Sequence, residues 1–219
     1  MTATARWALF ATVPLLAAAA VVLVFALRSP GTTAATGGGP MAAPAATDAA
    51  ATWAAGEKRA PAFALHDEHG RAVSLASLRG RPVLVTFIDP LCRDFCPTEA
   101  QHLSDAVRGA SEKPTILAVS VNTAGNAPSN LALDRRKWKV ASQWRWGVGT
   151  GAQLARVWHA FHIEVIATHK KIAGVKVQQV THTEATYLID AQGYQRALFI
   201  WPYTAHAVTE ALRGLSASS

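Results

Sequence analysis

Cysteine is scarce in this chain: two of its 219 residues, Cys92 and Cys96, are of this type. Any thiol chemistry, and any metal site built on thiolates, must therefore use this pair. Acidic residues are also few, 14 against 21 lysines and arginines, which leaves a formal net charge of +7. The basic residues are scattered and form no nucleic-acid-binding motif, so we expect no nucleic-acid partner. A solvated basic surface is favoured, and such a surface also suits an acidic protein or anionic lipid.

Charge is absent altogether from residues 7–27, a run of 21 residues near the N-terminus. A helix that crosses the bilayer core needs roughly 20 residues, and proline, here Pro14, is tolerated in membrane helices. A signal peptide has a shorter apolar region, about 7–15 residues, followed by small residues at a cleavage site. Because Phe25 and Leu27 stand near the end of the run, we predict a cytoplasmic stub and a retained transmembrane anchor at residues 1–28, with a signal peptide as the alternative. The flanking charges favour a cytoplasmic N-terminus, with the rest of the chain on the extracytoplasmic side of the cell membrane.

Residues 29–56 are rich in Ala, Gly, Pro and Thr and show no apolar periodicity. This composition is typical of a flexible linker between a membrane anchor and a folded domain. We expect residues 57–219 to form one domain, and a monomer is the default for a tethered domain of this size.

Two continuous apolar runs, residues 83–88 and 115–121, predict strands buried on both faces of a sheet. Pro97 follows the first run and suits the start of a helix, because it lacks a backbone N–H and its φ is fixed near the helical value. Further helices are expected at residues 129–140, 151–161 and 204–215, short strands at 63–65, 73–75 and 144–148, and hairpin strands at 186–190 and 195–199. This order predicts a thioredoxin-like α/β sandwich, a central mixed sheet flanked by helices.

The two cysteines lie between the first buried strand and the helix that begins at Pro97, with Cys96 expected at the N-cap. The partial positive charge of a helix N-terminus lowers the pKa of a nearby thiol, and the thiolate is both the nucleophile and the metal ligand. A purely stabilising disulfide is disfavoured, because a staple for a domain of this size would close a longer loop. Such a short loop would contribute only about 2 kcal/mol.

The spacing of the pair leaves two chemical roles open. Redox pairs in thioredoxin-like folds usually have two intervening residues, whereas Arg93, Asp94 and Phe95 stand between Cys92 and Cys96. The additional residue lets the sulfurs open apart around an ion, and two thiolates are soft ligands suited to Cu(I). A third ligand would then come from elsewhere in the chain.

Histidine is the first candidate type for that ligand, and the chain has eight. His182 immediately precedes the predicted hairpin strand, and in this fold the loop before that strand faces the cysteine loop. His159 and His162 are three residues apart and can share a helix face, but a solvated or packed pair is favoured over a second metal site. The other histidines are interpreted as surface or packed residues.

Several segments together resemble the SCO family, the copper chaperones for cytochrome c oxidase assembly, over about residues 61–215. Cys92-x-Asp94-x-Cys96-Pro97 is similar to the family's cysteine motif, and Val180-x-His182-Thr183 followed by Tyr187-Leu188-Ile189-Asp190 to its histidine motif. Phe63-x-Leu65, the run from Gly80 to Phe87 and the segment from Trp144 to Gly149 resemble further family features. Several features depart from the family, among them the residues before Cys92 and the segment 122–126, which lacks the usual acidic residues. Arg93 stands where proline is common, and residues 167–179, with Lys170, Lys171 and Lys176, are not typical.

The resemblance implies a membrane-tethered, extracytoplasmic metallochaperone with a thioredoxin-like fold. Copper would be held as Cu(I) by Cys92, Cys96 and His182, or as Cu(II) with a further ligand or water. The partner would be the copper-centre subunit of cytochrome c oxidase, which receives the copper, and a thiol reductant or another copper donor would be a further partner. The alternative is an enzyme, a thiol–disulfide oxidoreductase supplied by a thiol reductant, in which Cys92 attacks a client disulfide and Cys96 resolves the mixed disulfide without need of His182.

Overall fold

The computed structural model describes residues 49–216. The predicted membrane anchor at residues 1–28 and most of the predicted linker lie outside this range. Within it, no helix has the length and apolar character needed to cross a membrane.

A mixed sheet forms the centre of the domain, with the strand order β1-β11-β10-β5-β6-β7. Strands β5, β6 and β7 run parallel to one another, whereas β10 runs antiparallel to β5 and β11 antiparallel to β10. The strands are Ala51–Thr52 (β1), Lys58–Arg59 (β2), Ala64–His66 (β3), Ala72–Ser74 (β4), Val83–Ile88 (β5), Thr115–Ser120 (β6), Trp144–Gly147 (β7), Val165–Ile172 (β8), Val175–His182 (β9), Ala185–Ile189 (β10) and Tyr194–Ile200 (β11). The α-helices are Cys96–Arg108 (α1), Pro128–Lys137 (α2), Gly151–Ala160 (α3) and Ala205–Ser216 (α4), and short 3₁₀ turns span Ala76–Leu78 and Thr123–Gly125.

Strand β5 is buried along its whole length because helices cover both faces of the sheet. Its side chains alternate between two apolar clusters, as the strand period of two requires. Leu84 and Ile88 pack with residues of α1 and α4 on one side. Val85 and Phe87 pack with residues of α3 on the other side. The predicted mixed sheet flanked by helices is thereby confirmed.

Two features of the fold were not expected from the sequence. Strand β1 lies inside the segment predicted as a linker and pairs with β11, through Ala51 opposite Leu198, so the sheet includes residues before position 57. Strands β8 and β9 form a separate two-stranded hairpin between α3 and β10, in register from Val165 opposite His182 to Ile172 opposite Val175. Its turn residues Ala173 and Gly174 have φ of 48° and 82°, both positive as in the tight turns that favour hairpins. This hairpin carries His182 at its base.

Candidate metal centre

The cysteine loop, residues 89–95, connects the carboxyl end of β5 to the N-terminus of α1. Helix α1 begins at Cys96 with Phe95 as its N-cap, one residue earlier than the sequence predicts, so Pro97 occupies the first turn rather than the first position. Cys96 is completely buried in the apolar cluster beneath the loop, whereas Cys92 is half-buried, and both are free thiols. The Cys92 N–H donates to the Asp89 carbonyl oxygen at 3.0 Å, which closes the loop back on the end of the strand.

The two thiols differ strongly in acidity. The Cys96 S–H donates a hydrogen bond to the Cys92 sulfur, and this bond, with the backbone N–H groups of Cys96 and Asp94, lowers the pKa of Cys92 to about 6 against the opposing effect of burial. The same hydrogen bond, together with burial and the nearby charges of Cys92 and Glu99, raises the pKa of Cys96. At neutral pH the site therefore holds one thiolate, on Cys92, and one thiol, on Cys96.

His182 ends β9 and faces the cysteine loop across a cavity of about 420 Å³. The cavity is lined on one side by loop residues that include Cys92, and on the other by residues 178–182 and Glu184. The Nδ1 atom of His182 lies 3.1 Å from the carbonyl oxygen of Thr183. A carbonyl oxygen only accepts, so Nδ1 carries the proton and Nε2 keeps a free lone pair. Burial lowers the pKa of His182, which keeps the ring neutral, the form that binds metals.

The structure brings Cys92 and His182 to one cavity and places Cys96 behind Cys92, in hydrogen-bond contact with it. Among residues 49–216, however, no three Cys, His, Asp or Glu side chains stand close enough together to hold a metal ion. The three-ligand set of Cys92, Cys96 and His182 therefore stays a prediction. A larger cavity of about 630 Å³, lined by Arg81, Asp190 and others, contains no cysteine or histidine and offers no comparable donor set.

The remaining histidine candidates do not line this cavity. His159 and His162 are exposed at the end of α3 and belong to no cluster of three metal-binding side chains in the part of the chain that the structure describes. His102, on α1, has its Nδ1 atom 2.9 Å from the carbonyl oxygen of Tyr203.

Glu184 is a site residue that the sequence analysis missed. It lines the same cavity as Cys92 and His182. Burial, and then the negative charge of Cys92, raise its pKa to about 7. The signal in the sequence was its position two residues after His182, on the chain segment that leads into β10.

The sequence analysis also missed the contacts of Arg93, which lies between the two cysteines. Its Nη1 atom donates to the carbonyl oxygens of Pro90 at 2.9 Å and Cys92 at 2.7 Å. The same atom lies 3.4 Å from the Oδ1 atom of Asp134, whose side chain is only 1% exposed. Arg93 thereby ties the cysteine loop to helix α2, and no local pattern in the sequence predicts a pairing of residues 41 positions apart.

A buried carboxyl group lies beneath the loop, one turn along α1 from Cys96. The Oε1 atom of Glu99 accepts hydrogen bonds from the hydroxyls of Thr86 and Tyr203, each at 2.9 Å. Its Oε2 atom has no hydrogen-bond partner among the described residues. The hydroxyl of Thr186 donates to Oε1 at 3.4 Å, and burial outweighs these three donors and raises the pKa of Glu99 to about 7.

The fold and the site together define a class: thioredoxin-like proteins with a strand-to-helix thiol pair. The family model described as SCO1/SenC matches residues 52–217, and the chain belongs to this family. The resemblance seen in the sequence is therefore confirmed. Among curated proteins, the chain is 26% identical over 161 residues to "Protein SCO2 homolog, mitochondrial" of Bos taurus. That match covers 69% of this chain and 57% of the bovine protein, so it spans little more than half of the relative's length.

Solved structures share the fold. ScoI of Bradyrhizobium japonicum with copper bound is 23% identical, with a TM-score of 0.62, covering 72% of this chain and 99% of that one. Yeast Sco1 with copper bound is 18% identical, with a TM-score of 0.64, covering 74% of this chain and 90% of that one. BsSco, described as a Sco-family cytochrome c oxidase assembly protein with a disulfide switch, is 21% identical, with a TM-score of 0.56, covering 74% and 95% of the two chains.

Proposed function

We propose that this chain is a copper metallochaperone that delivers copper to the dinuclear copper centre of cytochrome c oxidase during its assembly. Cys92, Cys96 and His182 would hold the metal. The observation that carries the proposal is the cavity in which a Cys92 thiolate faces a neutral His182, with the Cys96 thiol directly behind Cys92. Membership of the SCO1/SenC family and the copper-bound structures of ScoI and yeast Sco1 support it.

The donor set fits Cu(I). Thiolate sulfur and imidazole nitrogen are soft to intermediate ligands, which Cu(I) prefers over carboxylate and carbonyl oxygen. Cys92 is already ionised at neutral pH, and the free lone pair on Nε2 of His182 needs no loss of a proton. Only Cys96 must give up a proton when it binds the metal. For Cu(II), which needs a further ligand, Glu184 in the same cavity is the candidate.

Copper would leave by ligand exchange with a partner's donor atoms. Cys92 suits this step because it is half-buried at the edge of an open cavity, while Cys96 is closed off from solvent. We further propose that residues 7–27 anchor the chain in the cell membrane as a single span, with the domain on the extracytoplasmic side and acting as a monomer. The uncharged length of that run supports this arrangement.

The variant His182→Ala tests the ligand set. In an anaerobic competition titration of the reduced full-length chain, the wild type should bind one Cu(I). Residues that merely support a ligand typically contribute 10–100-fold to metal affinity, so the loss of a direct ligand should weaken binding by about 100-fold or more. His159→Ala, which removes an exposed histidine, is the matched control and should bind as the wild type does. Equal affinity in both variants would remove His182 from the site.

A second candidate function, thiol–disulfide exchange, is favoured by the unequal acidity of the two thiols. The Cys92 thiolate would attack a client disulfide and release one client thiolate, and Cys96 would then attack the Cys92 sulfur and release the second. The domain would be left with a Cys92–Cys96 disulfide, which an external dithiol must reduce. The low pKa of Cys92 and the burial of Cys96 suit an attacking and a resolving thiol respectively.

Catalytic turnover distinguishes thiol–disulfide exchange from copper delivery. With dithiothreitol as reductant and a disulfide-bonded peptide as substrate, an oxidoreductase should reduce many equivalents of peptide. The Cys96→Ser variant should accumulate the mixed disulfide between Cys92 and the peptide. The His182→Ala variant should retain full activity. A single stoichiometric reaction without turnover would count against the enzyme and leave the metallochaperone as the function.

A further inference from the structure

The hairpin of β8 and β9 carries positive charge without compensation. Residues 165–182 contain Lys170, Lys171 and Lys176 and no acidic residue. Lys170 and Lys171 are exposed, and within residues 49–216 neither forms an ion pair with a carboxylate. The acidic residues beside its base are Glu164, which directly precedes β8, and Asp89, Asp94 and Glu184, which line the cavity. The charge on the hairpin is therefore available to a partner.

The register of the hairpin shows where these lysines lie relative to His182 and the metal cavity. In an antiparallel pair, alternate residues share one face. His182 and its opposite residue Val165 lie on the same face as Lys171, which stands opposite Lys176 near the tip. Val180 and Gln178 on this face line the cavity with His182, and so do Thr181 and Gln179 on the other face. Beyond the cavity the hairpin continues toward its tip, about 20 Å from His182 at roughly 3.3 Å per residue, where Lys171 lies on this face and Lys170 on the other.

The opposite wall of the cavity presents two exposed apolar side chains beside the exposed charged residues Arg93 and Asp94. Leu91 and Phe95, on either side of Cys92 in the cysteine loop, are 40% and 37% exposed, and both line the cavity. Exposed apolar side chains next to a reactive site, with charge at the margin, are typical of a protein interface, in which apolar contacts lie centrally and charges lie at the rim. The apolar residues here surround the thiol from which copper would leave.

We propose that this face, made of Leu91, Phe95 and the hairpin from His182 to Lys171, docks the protein that receives copper, and that the receiving protein presents an acidic patch to the hairpin lysines. The inference rests on the proposed function for the identity of the partner. A protein is favoured over an anionic lipid surface because the copper ligands lie on the same face as the charge, and a recipient must bring its own donor atoms to Cys92. Lipid headgroups supply no soft donor that could take Cu(I).

The test compares two charge reversals of equal size in the full-length chain. Lys170→Glu/Lys171→Glu alters the hairpin, whereas Arg79→Glu/Arg81→Glu alters exposed positions just before β5, at the opposite end of that strand from the cysteine loop. The probe is the metal-free copper-centre domain of the same organism's cytochrome c oxidase, with association rates measured by stopped flow in about 20 and 300 mM NaCl. At low salt the hairpin variant should associate about tenfold more slowly than the wild type, and its rate should lose most of its salt dependence. The control variant should stay within about twofold of the wild type.

Three results would overturn the inference: no measurable association of the wild type with the probe, equal slowing in the two variants, or association of the wild type that salt does not affect. A fourth would be a weaker preference of the hairpin variant for phosphatidylglycerol over phosphatidylcholine vesicles with an unchanged association rate, which assigns the charge to a lipid surface. Cu(I) titration of both variants keeps the two proposals apart. Failure of copper binding in the wild type refutes the proposed function, whereas normal copper binding with unaltered association refutes the docking surface alone.

Discussion

At pH 7, iodoacetamide should alkylate Cys92 of the reduced, metal-free chain about 100 times faster than Cys96. The thiolate is the reacting species, and the pKa of Cys92 lies near 6 because the Cys96 S–H and two backbone N–H groups donate to its sulfur. Cys96 keeps its proton and is completely buried. The alkylation rate of Cys92 should rise with pH, reach half its maximum near pH 6 and then level off. Peptide mass spectrometry after timed quenching measures both rates.

Two substitutions at position 96 test the cause of this acidity. Cys96→Ser keeps a donor, since a hydroxyl can replace the S–H. The midpoint, the pH at which Cys92 alkylation reaches half its maximal rate, should therefore stay low. Cys96→Ala removes the donor, and the midpoint should move up toward the ordinary range of a cysteine, about 8.5. A wild-type midpoint in that ordinary range, or the same midpoint in both variants, would show that the hydrogen bond between the sulfurs does not control the acidity of Cys92.

Glu99→Gln should change how the stability of the domain depends on pH. Burial raises the pKa of Glu99 from 4.5 to about 7, so between these values the folded protein holds a proton that the unfolded chain has released. The stabilising contribution is therefore complete below about pH 4.5 and is lost as pH rises through 7. One pKa unit corresponds to about 1.4 kcal/mol, so the wild type should lose about 3 kcal/mol of unfolding free energy from this group. Glutamine does not ionise, so the variant should escape this loss.

Denaturant unfolding gives the unfolding free energy of the reduced wild type and variant near pH 4.5 and near pH 8. The change between the two pH values is then compared between the two proteins. This comparison matters because the lowered pKa of Cys92 acts in the opposite direction, adding stability as pH rises above 6. That contribution is common to both proteins and cancels. Glu164→Gln, at an exposed position, is the matched control and should follow the wild type. A constant difference between wild type and Glu99→Gln at the two pH values would mean that Glu99 is not held protonated by the fold.

Much of the fold could be predicted because its central elements have strong local patterns. Strands β5 and β6 are continuous apolar runs since both of their faces are covered, and Pro97 marks the start of α1 to within one residue. The hairpin of β8 and β9 was not predicted because it lacks a strong local pattern. It forms its own two-stranded sheet and is mostly exposed, so its sequence needs no apolar face, and the alternation in residues 175–178 breaks at Gln179. Strand β1 has two residues, too few for any periodicity.

The sequence by itself determined the class of this protein and the position of its thiol pair, because a buried strand, a helix start and two cysteines lie within about twenty consecutive residues. The tertiary structure alone decided which thiol is ionised, which nitrogen of His182 is free, and which carboxyl groups share the site. Those properties depend on burial and on hydrogen bonds between distant segments, such as Glu99 with Tyr203, which are 104 positions apart. Desolvation and hydrogen bonding act through space, so no local pattern in the chain reports them.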